Sequence, residues 1–163
     1  MLLRLKNKEY LIVDQFRFKC SIGKKGLNLK KREGDHCTPI GVFKIGKVYY
    51  RPDRVRKPIT VLKTETIKKN TGWCDDPYSK NYNKEIILNK KNRGEKLFRK
   101  NNIYDILIVI EYNTKKIRPF KGSAIFIHLT KNYSPTKGCI ALKKNDLLIL
   151  LKIIDKKSKI KIC

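Results

Sequence analysis

The sequence predicts a mainly β domain carrying one or two short helices. Three patterns predict it. Phe16 to Ile22 alternates apolar and polar side chains, the period-two spacing of a half-buried strand. Two dense β-branched runs come later, Ile103 to Glu111 and Ser123 to His128, each of a length suited to a buried strand. Helical patterning is confined to two short stretches, one after Gly94 and one after Asn145.

In chain order, the N-terminus reads as the first strand and not as a secretory leader. Its apolar stretch is broken by Arg4, and no small-residue cleavage site follows. Tyr10 to Val13 is the partner of Phe16 to Ile22, and Gly23 to Gly26 turns the chain after it. Gly41 to Ile45 follows the breaker Pro39 as a further strand, with Ile59 to Leu62 and Ile86 to Leu88 as short ones. A polar turn at Asn113 to Lys116 joins the two β-branched runs into a hairpin. Gly94 to Lys100 reads as a short helix. Asn145 is placed to cap a second, Asp146 to Ile154, with Asp146 favourable in its first turn. Ser158 to Ile162 alternates and returns as a closing strand. Arg51 to Asn83 holds Pro52, Pro58, Gly72 and Pro77, an irregular excursion of the kind that is usually functional or disordered.

A chain of 163 residues suits one domain, residues 1–163, with a core of its own. Hydrophobic residues make up 40%, which excludes a disordered tail, and no apolar run approaches the roughly 20 residues of a membrane span. Lys+Arg 40 against Asp+Glu 14 gives a net charge of +26, a field that attracts polyanions and anionic surfaces. The lysines are spread along the chain, so a solvated lysine-rich surface explains them equally well. No zinc-finger, RRM or KH pattern is present and no basic stripe interleaves with aromatics, so no specific nucleic-acid partner is expected. The five cysteines include no C-x-x-C pair and are odd in number, which argues for a thiol with a chemical task over a disulfide framework.

The sharpest local pattern joins His128, at the end of an apolar run, to Gly138-Cys139, which opens another after ten residues. Only a thiolate is a strong nucleophile, and a neighbouring imidazole can take the thiol proton. Gly138 leaves room for a carbonyl beside main-chain N–H groups at Gly138 and Cys139, an oxyanion site in outline. The same spacing also fits a buried structural cysteine with a hydrogen-bonded core histidine.

The segment His128 … Thr136-Lys137-Gly138-Cys139-Ile140 resembles the signature of the L,D-transpeptidase (YkuD-like) catalytic domain, a histidine, a loop, then Ser/Thr-His-Gly-Cys. Glu33-Gly34-Asp35-His36-Cys37-Thr38-Pro39-Ile40-Gly41-Val42-Phe43 is similar to that family's Gly-Asp-x-x-Thr-Pro-x-Gly-x-Phe segment. Further similarity falls at Tyr49 to Arg54, Gly72 to Pro77, Tyr82-Asn83, Tyr104-Asp105 and Gly122 to His128, in the family's order. Lys137 stands where the family has a second histidine, and the loop before Cys139 is shorter than is common there.

The resemblance implies a β-sandwich or barrel and a transpeptidase that cross-links peptidoglycan stem peptides without cofactor or metal, or an L,D-carboxypeptidase where water takes the acyl group; a non-enzymatic cationic wall-binding protein is the alternative from another class. The resemblance favours the cell envelope, while the lack of a visible leader leaves the cytoplasm open, and a monomer is expected. Cys139 would be the enzyme's nucleophile and His128 its base, with Gly138 shaping the turn. Substrate contacts are expected from Tyr50, Arg54, Trp73, Asp75, Asp76, Ser123, Thr136 and Lys137. Several have a plainer alternative: packing for Tyr49 and Tyr50, surface exposure for Arg51 and Arg54, a capped turn before Pro77 for Trp73, Asp75 and Asp76. His36, Cys37 and Cys74 lack metal-ligand spacing, and His36 is either a turn residue or part of the cleft wall.

Overall fold

The computed structural model describes residues 1–29 and 31–163. Its strands are β1 (Leu2–Lys6), β2 (Tyr10–Val13), β3 (Phe16–Ser21), β4 (Leu27–Asn28), β5 (Thr38–Pro39), β6 (Gly41–Tyr50) and β7 (Thr64–Thr66). They continue as β8 (Thr71–Trp73), β9 (Glu85–Ile87), β10 (Glu95–Lys96), β11 (Ile106–Ile110), β12 (Phe126–Leu129) and β13 (Ile140–Leu142). The one helix among the described residues, α1 (Lys144–Ile153), precedes the last strand, β14 (Lys159–Ile162). The chain is mainly β, as the alternation predicts.

One sheet runs β11-β12-β13-β3-β2-β1-β14-β6-β7, and β6 also pairs with β11, so the sheet closes on itself. Closure leaves no open edge along the ring. β6 makes it possible by length. Its first residues pair with β14 on one side, while Ile45 to Tyr50 pair with β11 on the other, across a register shift between Ile108 and Ile110. Parallel pairings join β1 to β14 and β12 to β13, so the chain's two ends lie side by side in the sheet.

Inside the closed sheet lies the main aliphatic core. Leu3, Leu5, Leu11, Val13, Ile106, Ile108, Ile127, Ile140 and Ile160 are among its members, and α1 adds Leu147, Leu150 and Leu151. Those three helix positions are spaced i, i+3, i+4, one face of a 3.6-residue period. α1 starts two residues before the position expected. Lys143, extended at φ −63° and ψ 151°, is its N-cap and makes no side-chain cap bond, so Asn145 lies within the first turn and does not cap it. Asp146 in that turn and Lys152 in the last still match the helix dipole.

Three further expectations are corrected. Gly94 to Lys100 forms no helix: Glu95 and Lys96 pair with Trp73 and Gly72 of β8, and ladder bonds override the local pattern. A Cβ on Gly94 would sit 2.3 Å from the Trp73 carbonyl oxygen, so the close backbone approach requires glycine. Ile59 to Leu62 lies outside any strand, with Ile59 and Val61 exposed, and the chain joins the sheet only at β7, parallel to Val48–Tyr50. The β11–β12 hairpin forms, but its connection is an ordered loop and not a four-residue turn. Asn113 holds that loop through Nδ2 to the carbonyls of Arg118 and Gly122, both at 3.0 Å. The second strand starts at Phe126 instead of Ser123 because Ala124 adopts φ 53°, outside the extended region.

Candidate active site

Strands β11, β12 and β13 are buried on both faces, and side chains alternate between those faces. Ile127, Leu129, Ile140 and Leu142 point into the main core. Phe126, His128, Cys139 and Ala141 take the opposite side, because Ile127 pairs with Ile140 and His128 with Ala141. On that outer face a second apolar cluster forms, from Tyr49, Ile67, Trp73, Leu97, Tyr104, Leu107, Val109, Phe126 and Cys139. The excursion from Arg51 to Asn83 and the segment after it cover this face, which explains why so irregular a stretch is ordered. Buried Asn83 ties it down. Its Oδ1 accepts from Trp73 Nε1 (2.9 Å) and the Ala124 amide (3.0 Å), while Nδ2 donates to the carbonyls of Tyr112 and Asn113.

A cavity of about 650 Å³ opens on the outer face, lined by both Cys139 and His128. The Cys139 thiol donates to the Ala124 carbonyl at 3.2 Å and its sulfur accepts the Phe126 amide at 3.3 Å. The left-handed backbone at Ala124 aims that carbonyl at the thiol. Burial pushes the thiol up to about 12, and Glu95 adds to it; the Phe126 amide, Lys31 and Arg99 pull the other way. Burial likewise drives His128 down to about 4, with Arg99 adding to the effect and the Leu129 carbonyl opposing it. At neutral pH both groups are therefore uncharged.

The tautomer of His128 follows from its partner. Nδ1 lies 2.9 Å from the Leu129 carbonyl oxygen, and a carbonyl only accepts, so Nδ1 carries the hydrogen. Nε2 then holds a lone pair. The ring packs edge-on against Tyr104, with centroids 5.3 Å apart. Tyr104 in turn donates to Glu95 (2.6 Å), which pairs with Arg99 (2.8 Å). A neutral base and a neutral thiol thus line one cavity from the same buried face, a set of groups suited to proton transfer during attack on a carbonyl.

The sequence profile of the L,D-transpeptidase catalytic domain (YkuD) matches residues 2–162. The chain belongs to that family. Among solved structures, the helical cell shape determining protein Pgp2 from Campylobacter jejuni shares the fold, with a TM-score of 0.51 and 19% identity. The match covers 99% of this chain and 46% of Pgp2, so the present chain spans about half of that protein's length. No curated protein matches the sequence. No helix among the described residues is long and apolar enough to cross a membrane.

Against this YkuD frame, the residues expected at the site divide. His36, Asp75, Ser123, Thr136 and Lys137 line the cavity with Cys139 and His128. Thr136 donates to the Cys139 carbonyl (2.6 Å) and accepts the Gly138 amide (3.1 Å), which fixes the turn at φ 136° for Gly138. That bond engages one of the two amides expected to hold an oxyanion. Asp76 lies outside the cavity and caps its own turn through the Tyr78 amide (3.0 Å).

Tyr50, Arg54 and Trp73 are elsewhere. Tyr50 packs on the main core, and Trp73 is buried edge-on against Phe126. Arg54 clamps the Lys100 and Asn101 carbonyls and Asp105, while Arg51 pairs with Asp53 and lies over the Phe98 ring. Sequence reasoning gave no role to Lys31, Glu33, Glu95, Arg99 or Tyr104, all of which line the cavity. Scarcity was a usable signal for two of these, since Glu33 and Glu95 belong to the 14 acids of a +26 chain.

Proposed function

We propose that the cavity carries out acyl transfer on peptidoglycan stem peptides through a thioester at Cys139. One observation carries the reading: Cys139 and His128 share one face of adjacent strands and one cavity, with Nε2 of His128 left to accept a proton. The thiol leaves the Ala124 carbonyl and gives its proton to Nε2 as sulfur bonds to the carbonyl carbon of the stem's third residue. Collapse of the tetrahedral adduct breaks the C–N bond, and the departing D-alanine takes the proton from His128. An amine of a neighbouring stem then gives a proton to His128, attacks the thioester and restores the thiolate, which His128 reprotonates. Water in place of the amine would make the same site an L,D-carboxypeptidase.

The cavity wall suits both partners. Lys31, Lys96, Arg99, Lys131 and Lys137 face an anionic stem, while Glu33, Asp75 and Glu95 offer carboxylates to an incoming ammonium. The envelope location implied by the resemblance forms part of this proposal. Incubation with a defined disaccharide tetrapeptide, followed by mass analysis, tests it. A covalent adduct on Cys139 with loss of D-alanine is expected, then cross-linked dimer or tripeptide. Full turnover by Cys139→Ala would end the assignment.

A further inference from the structure

Lys31 is unusual in this protein. Among the described residues only two cationic side chains are buried, Lys31 at 3% and Arg51 at 2% exposure. Arg51 is accounted for by Asp53, the Arg99 carbonyl and the Phe98 ring. Lys31 makes one ion pair, to Asp35 Oδ1 at 2.7 Å, and a long contact to the Arg32 carbonyl at 3.4 Å. A lysine that served only solubility would stay in water, because burying an ammonium is costly even when paired.

Two glycines make room for it. A Cβ on Gly122 would lie 2.9 to 3.2 Å from Cε, Cδ and Cγ of Lys31, so the lysine stem crosses over that residue. A Cβ on Gly138 would lie 3.5 Å from Nζ, which places the charged end beside the residue preceding Cys139. Asp35 fixes the far side. It also accepts the Arg32 and Cys37 amides (2.8 and 2.9 Å), and although burial raises its carboxyl, Lys31 and those amides hold it below the usual range.

We propose that Lys31 is a positioning residue for the nucleophile: its buried ammonium, set by Asp35 in the slot made by Gly122 and Gly138, stabilises negative charge on Cys139. The inference rests on the reading of Cys139 as the nucleophile. It meets a need the site otherwise leaves open, since the Gly138 amide is bonded to Thr136 and the thiol sits in a dry wall. Other titratable groups around Cys139 include Glu95, Arg99 and Tyr104 from the segment around β10 and before β11, with His128 from β12 and Lys137 lining the same cavity. Glu95 opposes a thiolate, and Arg99 is already paired with Glu95. Lys31 is the buried cation whose ammonium lies beside Gly138, next to the nucleophile in the chain.

Alkylation of Cys139 by iodoacetamide and by iodoacetate, read on its peptide by mass spectrometry, tests this without any peptidoglycan. Both reagents need the thiolate, but only iodoacetate carries a negative charge. In Lys31→Met the iodoacetamide rate should fall on the order of tenfold, with iodoacetate falling several-fold further. The ratio of the two rates at exposed Cys163 should not move. A lysine that merely props the loop would change both rates at Cys139 together, so an unchanged ratio in the folded variant overturns the proposal. Lys31→Gln, which keeps a polar head for Asp35, carries the same expectation if the methionine variant does not fold. The wild-type protein gives a further check: an iodoacetate-to-iodoacetamide ratio at Cys139 no higher than at Cys163 refutes the proposal with no variant at all. Alkylation as expected alongside failed turnover of stem peptide would reject the substrate and leave the role of Lys31 standing.

Discussion

The two faces of β12 and β13 share one backbone ladder and nearly equal burial, yet they carry opposite chemistry. Inward, Ile127, Leu129, Ile140 and Leu142 offer only shape and apolar area. Outward, His128 and Cys139 sit equally dry but polar, with neighbours arranged by Asn83, Thr136 and Tyr104. Burial on one face holds the fold together; burial on the other holds two titratable groups neutral. A strand pair buried on both sides therefore separates stability from chemistry at single-residue spacing.

Paired truncations should break this comparison most sharply if it is wrong. Cys139→Ala is expected to lower turnover at least about 10³-fold while moving the urea midpoint little, because one sulfur leaves a small gap. Ile127→Ala, its inward neighbour on β12, should do the reverse. It should cost about 2–5 kcal/mol of stability through lost burial and a cavity, and leave the folded fraction active. Equal stability losses in the two variants would mean that the faces are not distinct.

Acid titration sharpens the comparison from the side of His128. Its folded value near 4 lies below the unfolded 6.5, so between those values the unfolded chain binds a proton that the native chain refuses. Stability is complete above about pH 6.5 and is lost as pH falls toward 4, by about 3 kcal/mol for a drop from 6.5 to about 4. In His128→Gln that part of the slope should vanish, whatever the variant's stability at pH 7. Unfolding curves at pH 4.5, 5.5 and 7 read it, and an unchanged slope would show that the imidazole is not held neutral by burial.

How much of this was legible in the sequence differs between the faces. The inward face was readable because alternation and β-branched runs report burial, and most ring strands follow from them. Outward, His128 and Gly138-Cys139 were readable as an order of residue types, with the family resemblance favouring a site over a core pair. The walls were not. Lys31 is hidden by a composition in which lysine is ordinary, and burial cannot be seen in a charge count. Glu95 and Arg99 stand four apart and pair, which imitates a helix, yet the ladder with β8 takes Glu95 into a strand and Arg99 lies in neither helix nor strand. Tyr50, Arg54 and Trp73 look like binding residues by type, but packing and loop clamping use them first.

The smallest expected effect concerns Asp75 and Asp76, which the sequence offers as a pair and the structure separates. Asp76 caps the turn at Tyr78, so Asp76→Asn should cost at most about 1 kcal/mol and leave the product pattern alone. Asp75 lines the cavity, where burial raises its carboxyl and Glu33 and Asp76 add to the rise. Glu95, raised first by burial, also feels Asp75. Carboxylates crowded in this way are relieved by a cation, and under the acyl-transfer proposal the cation that arrives is the acceptor ammonium. Asp75→Asn should therefore leave D-alanine release near the wild-type rate but shift the thioester's fate a few-fold from amine toward water. Adduct formation by intact-protein mass, set against the cross-link to tripeptide ratio from the same preparation, separates the two half-reactions. If Asp75→Asn slows adduct formation and transfer alike, the carboxylate shapes the donor side, and selection of the acceptor falls to Glu33 and Glu95.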